Sequence, residues 1–78
     1  MDDNEKELRR TVGRRLGSAR RLVELTQEEV ATAAGVSRSM VALVEHGTHG
    51  IDVYRLRRMG AAVGMDLTEL FDEPPGGR

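Results

Sequence analysis

Cysteine is absent from the 78 residues, so neither a disulfide framework nor thiolate chemistry is open to this chain. Aromatic residues are nearly absent as well. Tyr54 and Phe71 are the whole complement, too few for a surface that stacks successive bases of a single strand. No apolar run approaches the ~20 residues of a membrane span, and the acidic start is unlike a signal peptide, so a cytoplasmic location is expected. No segment sustains the apolar–polar alternation of a strand, and no internal repeat is visible. Nucleophile–base pairs, phosphate-binding glycine loops and paired carboxylates at catalytic spacing are also missing, which argues against an enzyme. What remains is a single all-helical domain. A chain this short buries only ~60–65% of the surface it exposes when unfolded, so its stability should be modest and oligomerisation would help it.

The net charge of −1 conceals a division along the chain. In residues 1–7, Asp2, Asp3, Glu5 and Glu7 against Lys6 leave −3. In residues 66–78, Asp66, Glu69, Asp72 and Glu73 against Arg78 again leave −3. Between them, ten arginines against Glu24, Glu28, Glu29, Glu45 and Asp52 give +5. The basic charge therefore sits on the middle of the chain, although ordinary solvated faces would also account for so small a division.

The middle is organised around residues 27–46, QEEVATAAGVSRSMVALVEH. Two short helical patterns meet here at Gly35. Val30 and Ala34 share one helical face, and Val41 and Val44 share another. Gly35 is where the backbone can take φ > 0 without a Cβ clash, and Ala31 is small where a second helix must cross closely. Two helices joined so tightly form a helix-turn-helix, whose second helix can enter the DNA major groove.

Helix starts share one pattern. Leu25-Thr26 precedes Val30, Val36-Ser37 precedes Val41, Ile51-Asp52 precedes Leu56, and Met65-Asp66 precedes Leu70. Each is a capping residue after an apolar one, with a second apolar residue four positions beyond the cap. Thr26 with Glu29 and Asp66 with Glu69 also have the spacing of capping boxes. These signals predict helices over about 12–24, 27–34, 38–45, 53–63 and 67–72. Leu8, Val12, Leu16, Ala19 and Val23 form the apolar stripe of the first helix, and Val53, Leu56, Met59, Gly60 and Val63 that of the fourth. Residues 1–10 are open to two readings, an acidic arm or a helix extension begun by Asn4 and Glu7. Residues 73–78, rich in proline and glycine, are expected to be a disordered tail.

Over residues 12–71 the sequence resembles the phage-repressor and Cro-like helix-turn-helix regulators. Gln27 opens the first helix of the pair, Ala31 is the small crossing residue, Gly35 makes the turn, and Val36, Val41 and Val44 fill core positions. Glu45-His46-Gly47 matches the Glu-x-Gly ending of the motif. The resemblance implies a compact five-helix DNA-binding domain in which Gln27 holds a phosphate at a helix N-terminus. It places Arg38, Ser39 and Met40 against base edges, with Ala42 and Leu43 further along. Ser37, beyond its role as a cap, and Thr48 and His49 in the following loop complete the expected DNA-facing set. Arg38 can fork onto guanine O6 and N7 or clamp a phosphate; both remain open. Arg20 and Glu45 match a pair that bridges the first helix to the end of the recognition helix, a structural role like that of Gly35. Met65, Leu67 and Phe71 have no evident use within the chain and are the expected dimer interface.

His46, His49 and Glu45 form a weak metal-ligand pattern that the motif ending explains otherwise, so no metal or other cofactor is expected. Two function classes follow. One is a transcription regulator bound as a homodimer to a pseudo-palindromic operator. The other is an antitoxin-like or anti-regulator module whose main partner is another protein, a reading that suits the acidic ends.

Overall fold

The computed structural model describes residues 3–71, and five helices account for most of them. They are α1 (Asp3–Leu22), α2 (Gln27–Ala34), α3 (Arg38–His46), α4 (Val53–Ala62) and α5 (Leu67–Phe71). There is no strand among the described residues. The protein is all-α, as its sequence pattern implies.

The start of each helix after α1 is held by the residue that the pattern singles out. Thr26 Oγ1 accepts from the Glu29 amide at 3.0 Å while Glu29 Oε1 accepts from the Thr26 amide at 2.8 Å. Asp66 and Glu69 make the same reciprocal pair, both bonds at 2.9 Å. Ser37 accepts from the Met40 amide and Asp52 from the Arg55 amide. Each bond satisfies an amide that the first helical turn cannot use internally.

The ends obey an equally regular rule that the sequence shows only in part. Four times a residue in the left-handed region closes the helix, its amide bonding three residues back while the next amide reaches five back. The left-handed residues are Glu24 (φ 60°), Gly35 (69°), Gly47 (79°) and Gly64 (80°). The long closing bonds are Leu25 to Arg20, Val36 to Ala31, Thr48 to Leu43 and Met65 to Gly60. Glycine occupies three of these positions because it carries no Cβ. Glu24 does not have that freedom, and the strain sits there.

The core gathers Val12 and Leu16 of α1, Val30, Ala31 and Ala34 of α2, Val41 and Val44 of α3, Leu56, Met59 and Val63 of α4 and its end, and Leu70 of α5. No polar or charged residue is buried with them among the described residues. Two glycines let backbones meet. A Cβ on Gly13 would strike the carbonyl oxygens of Val44 and Glu45, so α1 lies directly on the end of α3. One on Gly60 would lie 2.8 Å from the Met65 oxygen.

Several expectations need correction. Of the two readings of residues 1–10, the helix extension is the one seen from residue 3 onward, so α1 is longer than the span of about 12–24 expected. Asn4 lies inside the helix and is not its first residue. The added turns carry Glu5–Arg9 and Glu7–Arg10 pairs on adjacent turns, and acids beside the positive end of the helix dipole. The same helix stops at Leu22, two residues early, because Glu24 leaves helical geometry. Leu8 and Val23 at the two ends of the apolar stripe are exposed, since α1 overhangs the core at both ends. Val53 is exposed as well, at the first turn of α4, although Leu56 and Gly60 on the same helical face are buried. Met65 and Leu67 are half-buried and packed on the core, so both have a use within the chain, whereas Phe71 is exposed. Asp72 and the proposed tail 73–78 lie outside the described residues.

Two equivalent closures should respond in opposite directions. Glu24→Gly relieves a left-handed residue and should gain up to about 1 kcal/mol after the freer unfolded chain is counted. Gly35→Val should lose about 1–3 kcal/mol, although the space around Gly35 is open, because the backbone itself refuses a β-branched residue. Thermal unfolding of the two variants beside the parent measures both.

Acid should loosen α4 and α5. The Asp52 carboxyl is held below its usual range by the Arg55 amide, and that of Asp66 by the Thr68 hydroxyl and the Glu69 amide. A folded-state pKa below the unfolded one contributes stability above the unfolded value and loses it as pH falls through the folded one. Replacing both with asparagine, which still caps, should flatten the decline in stability below about pH 4. Denaturant midpoints followed from pH 6 to pH 3 test this.

Candidate nucleic-acid interface

The presentation of α3 follows from how its ends and inner face are fixed. Gly35 reverses the chain after α2, Ser37 caps the entry, and Gly47 closes the exit. Val41 and Val44 are buried and Ala31 lets α2 cross nearby, so the opposite side of α3 turns to solvent. That side carries Arg38, Ser39, Leu43 and His46 exposed, with Ala42 half-buried among them. Positions 38, 39, 42, 43 and 46 recur at helical spacing and make one continuous face.

Met40 does not belong to it. Its side chain packs partly against the core, about 130° round the helix from the middle of the exposed face. Ser37 lies at the edge of the same face, exposed, with its hydroxyl already accepting from Met40.

A small polar network sets the other end of α3. Arg20 grips Glu45 with two bonds, Nε to Oε2 at 2.7 Å and Nη2 to Oε1 at 3.1 Å. Its remaining arm donates to the Leu25 carbonyl at 2.8 Å, tying in the link between α1 and α2. Both side chains of the pair are nearly covered, with 13% and 10% of their surface exposed. The hydrogen bonds to Glu45 raise the Arg20 pKa further above its ordinary value, more than burial lowers it, so the guanidinium stays charged. Gln27 joins the network by donating from Nε2 to Glu45 Oε1 at 3.2 Å. Its side-chain amide is thereby aimed, with one N–H still available beside the N-terminus of α2.

Sequence reasoning missed one more fixed point. Arg58 of α4 donates from Nε to the Ala34 carbonyl at 2.8 Å, capping α2 where the turn begins. Its only sequence signal is a cation one helix away from a glycine stop, which Arg55 and Arg57 share. The loop after α3 is pinned from outside. Arg10 backs onto Gly47, and the Arg9 guanidinium covers Gly50. The Thr48 amide is engaged by Leu43 at 3.4 Å, whereas the amides of His49 and Gly50 make no backbone hydrogen bond among the described residues. Thr48 and His49 themselves are exposed. Among the described residues no group of three or more His, Cys, Asp or Glu could hold a metal, and His46, His49 and Glu45 make no such cluster.

The arginines divide sharply. Arg9, Arg10, Arg20 and Arg55 face carboxylates, and Arg15 and Arg58 reach helix-end carbonyls. Arg14, Arg21, Arg38 and Arg57 have no hydrogen bond or ion pair among the described residues.

A turn between two short helices, an open face on the second, and an unpaired arginine at the start of that face are the features of a nucleic-acid reader. A helix-turn-helix family model matches residues 16–70. The chain belongs to the Cro-like helix-turn-helix family. The match begins within α1, so the first turns of that helix lie outside it. The chain is similar to YqaF of Bacillus subtilis (strain 168), an uncharacterized HTH-type transcriptional regulator, at 38% identity over 48 residues. The aligned part covers 62% of this chain and 63% of that protein. No helix among the described residues is long and apolar enough to cross a membrane.

The network makes a quantitative claim about α3. Arg20→Ala leaves the Glu45 carboxylate with only the Gln27 amide and should cost about 2–3 kcal/mol. Glu45→Gln keeps the shape and one acceptor and should cost less. Chemical denaturation of both variants checks the order; a parent-like Arg20→Ala would show that the pair is an ordinary surface contact.

Proposed function

We propose that the protein is a transcriptional regulator that binds double-stranded DNA sequence-specifically, with α3 in the major groove. The observation that carries this reading is the exposed face of α3, with Arg38 unpaired at its leading edge and Glu45 anchoring its trailing end to α1. Arg38 and Ser39 meet base edges first, and Ala42 and Leu43 offer apolar contact for a thymine methyl. Ser37, Gln27 and the amides of the 48–50 loop flank that face and take phosphates, which fix register without reading sequence. Met40 supports the helix from behind.

One nine-residue reading helix supplies few contacts, so a homodimer on a pseudo-palindromic site fits best, with half-sites about 34–36 Å apart. Phe71 is the natural centre of the dimer surface. It is exposed, and with Leu8 it lines an open apolar groove beside Ile51. A soluble, cytoplasmic, non-enzymatic protein suits such a role. The competing reading, a module whose main partner is another protein, draws on the acidic ends. It is weakened at the N-terminus, where Arg9 and Arg10 already neutralise Glu5 and Glu7.

Arg38 and Gln27 should fail differently when cut to alanine. Gln27→Ala should weaken binding to all duplexes alike and barely move the salt dependence, because glutamine is uncharged. Arg38→Ala should cost ~1–3 kcal/mol on the preferred site and relax one position in each half-site. If Arg38 instead holds a phosphate, its loss is independent of sequence and lowers the salt slope by about one. Anisotropy titrations on a selected and a scrambled duplex at several salt concentrations separate these outcomes. Parent-like binding by Arg38→Ala on every duplex would remove α3 from the interface.

A further inference from the structure

Beside the exposed face of α3 runs a groove of about 350 Å³, walled on one side by α1 and on the other by Ala42 and His46. Arg14 and Arg21 stand on its α1 side, and Gln27 lies at the N-terminus of α2. The two arginines are seven residues apart, two helical turns, so they leave the same side of α1 about 10 Å apart along the axis. Both are exposed and have no hydrogen bond or ion pair among the described residues, where six other arginines are engaged. The groove's one acid, Glu45, is already bonded through both oxygens to Arg20 and Gln27 and makes no hydrogen bond or ion pair with Arg14 or Arg21 among the described residues. The floor is kept low by Gly17, where a Cβ would come within 3.3 Å of the Glu45 carboxylate and 3.2 Å of the Arg21 guanidinium.

We propose that Arg14 and Arg21 form a two-point clamp on α1 for the phosphates of one DNA strand, alongside the C-terminal half of α3. This rests on the DNA-binding reading and adds a contact surface outside the helix-turn-helix. The chemistry is that of an anionic backbone. Two long guanidinium arms about 10 Å apart match the axial rise of roughly three nucleotides of a strand. They touch no base edge, so they raise affinity and fix how far α3 enters the groove without choosing sequence. The arrangement also explains why these cations remain unpaired in the free protein: each arginine committed to a carboxylate would lose its counterion-release contribution on DNA.

The test uses the full chain. Arg14→Gln/Arg21→Gln is titrated by anisotropy onto a selected and a scrambled duplex between 50 and 200 mM salt, beside the parent, Arg38→Ala and Arg14→Lys/Arg21→Lys. The glutamine pair should lower the salt slope by about 1.8 per bound protomer, so its affinity deficit shrinks about tenfold across that range. The effect should be equal on both duplexes, with base preference and melting temperature unchanged. The lysine pair should keep the parental slope, because the counterion effect counts charge. A parental slope for the glutamine pair overturns the clamp. So does a lysine pair that loses the slope. If the parent binds and Arg38→Ala is impaired while the glutamine pair is not, only the clamp fails. A parent that binds no duplex overturns the DNA reading and the clamp together.

Discussion

The bidentate pair between Arg20 and Glu45 is the interaction on which the arrangement of this molecule depends. It joins α1 to α3, and through Leu25 and Gln27 it also reaches the beginning of α2. A charge pair at the rim of a small core is not a large source of net stability, because both ions give up hydration to form it. Its value lies in direction. Two parallel bonds fix the roll of a helix in a way that apolar contacts among valines do not. The glycine at position 13 works with it: two turns earlier on α1, backbone touches backbone, so the end of α3 has no room to slide along α1.

Starts of helices were legible in the sequence because a cap is a local event. Thr26, Ser37, Asp52 and Asp66 each bond an amide three residues on, and nothing distant is needed to read that. The stop at Gly35 was legible for the same reason. The stop after α1 was not, since Glu24 has no preference for the left-handed region and is held there by the bonds of residues 20 to 25. The length of α1 was left open between an arm and a helix extension, and the extension is what the structure shows. Glycine-containing turns and an acidic start can be read as an arm, and only the pairing of Glu5 and Glu7 with arginines one turn on tips the balance to helix.

For the candidate site, the family resemblance put Arg38, Ser39, Ala42 and Leu43 on the exposed face of α3 but missed His46, and Met40 was its exception. The position early in the helix suggested a contact residue, but its apolar chain found the core. Met65 and Leu67 were misjudged in the reverse direction. Counting apolar residues against an assumed stripe leaves some over, and a short final helix can bury more of its sides than one stripe allows. Which arginines are free is a fully three-dimensional matter. Arg58 and Arg57 are neighbours in the chain, yet one caps α2 and the other has no partner.

The bond from Arg58 to the Ala34 carbonyl separates two notions of a unit. In the proposed recognition, the α2–turn–α3 segment is the unit, since it presents the exposed face of α3. In folding it is not, because its crossing angle is held from outside at both ends: by α4 through Arg58 at the turn, and by α1 through Arg20 at the far end of α3. Transplanted alone into another scaffold, the segment would keep its residues and lose its aim. The portable module of this protein is therefore the five helices taken together, since Leu70 of α5 completes the core, not the motif that gives the family its name.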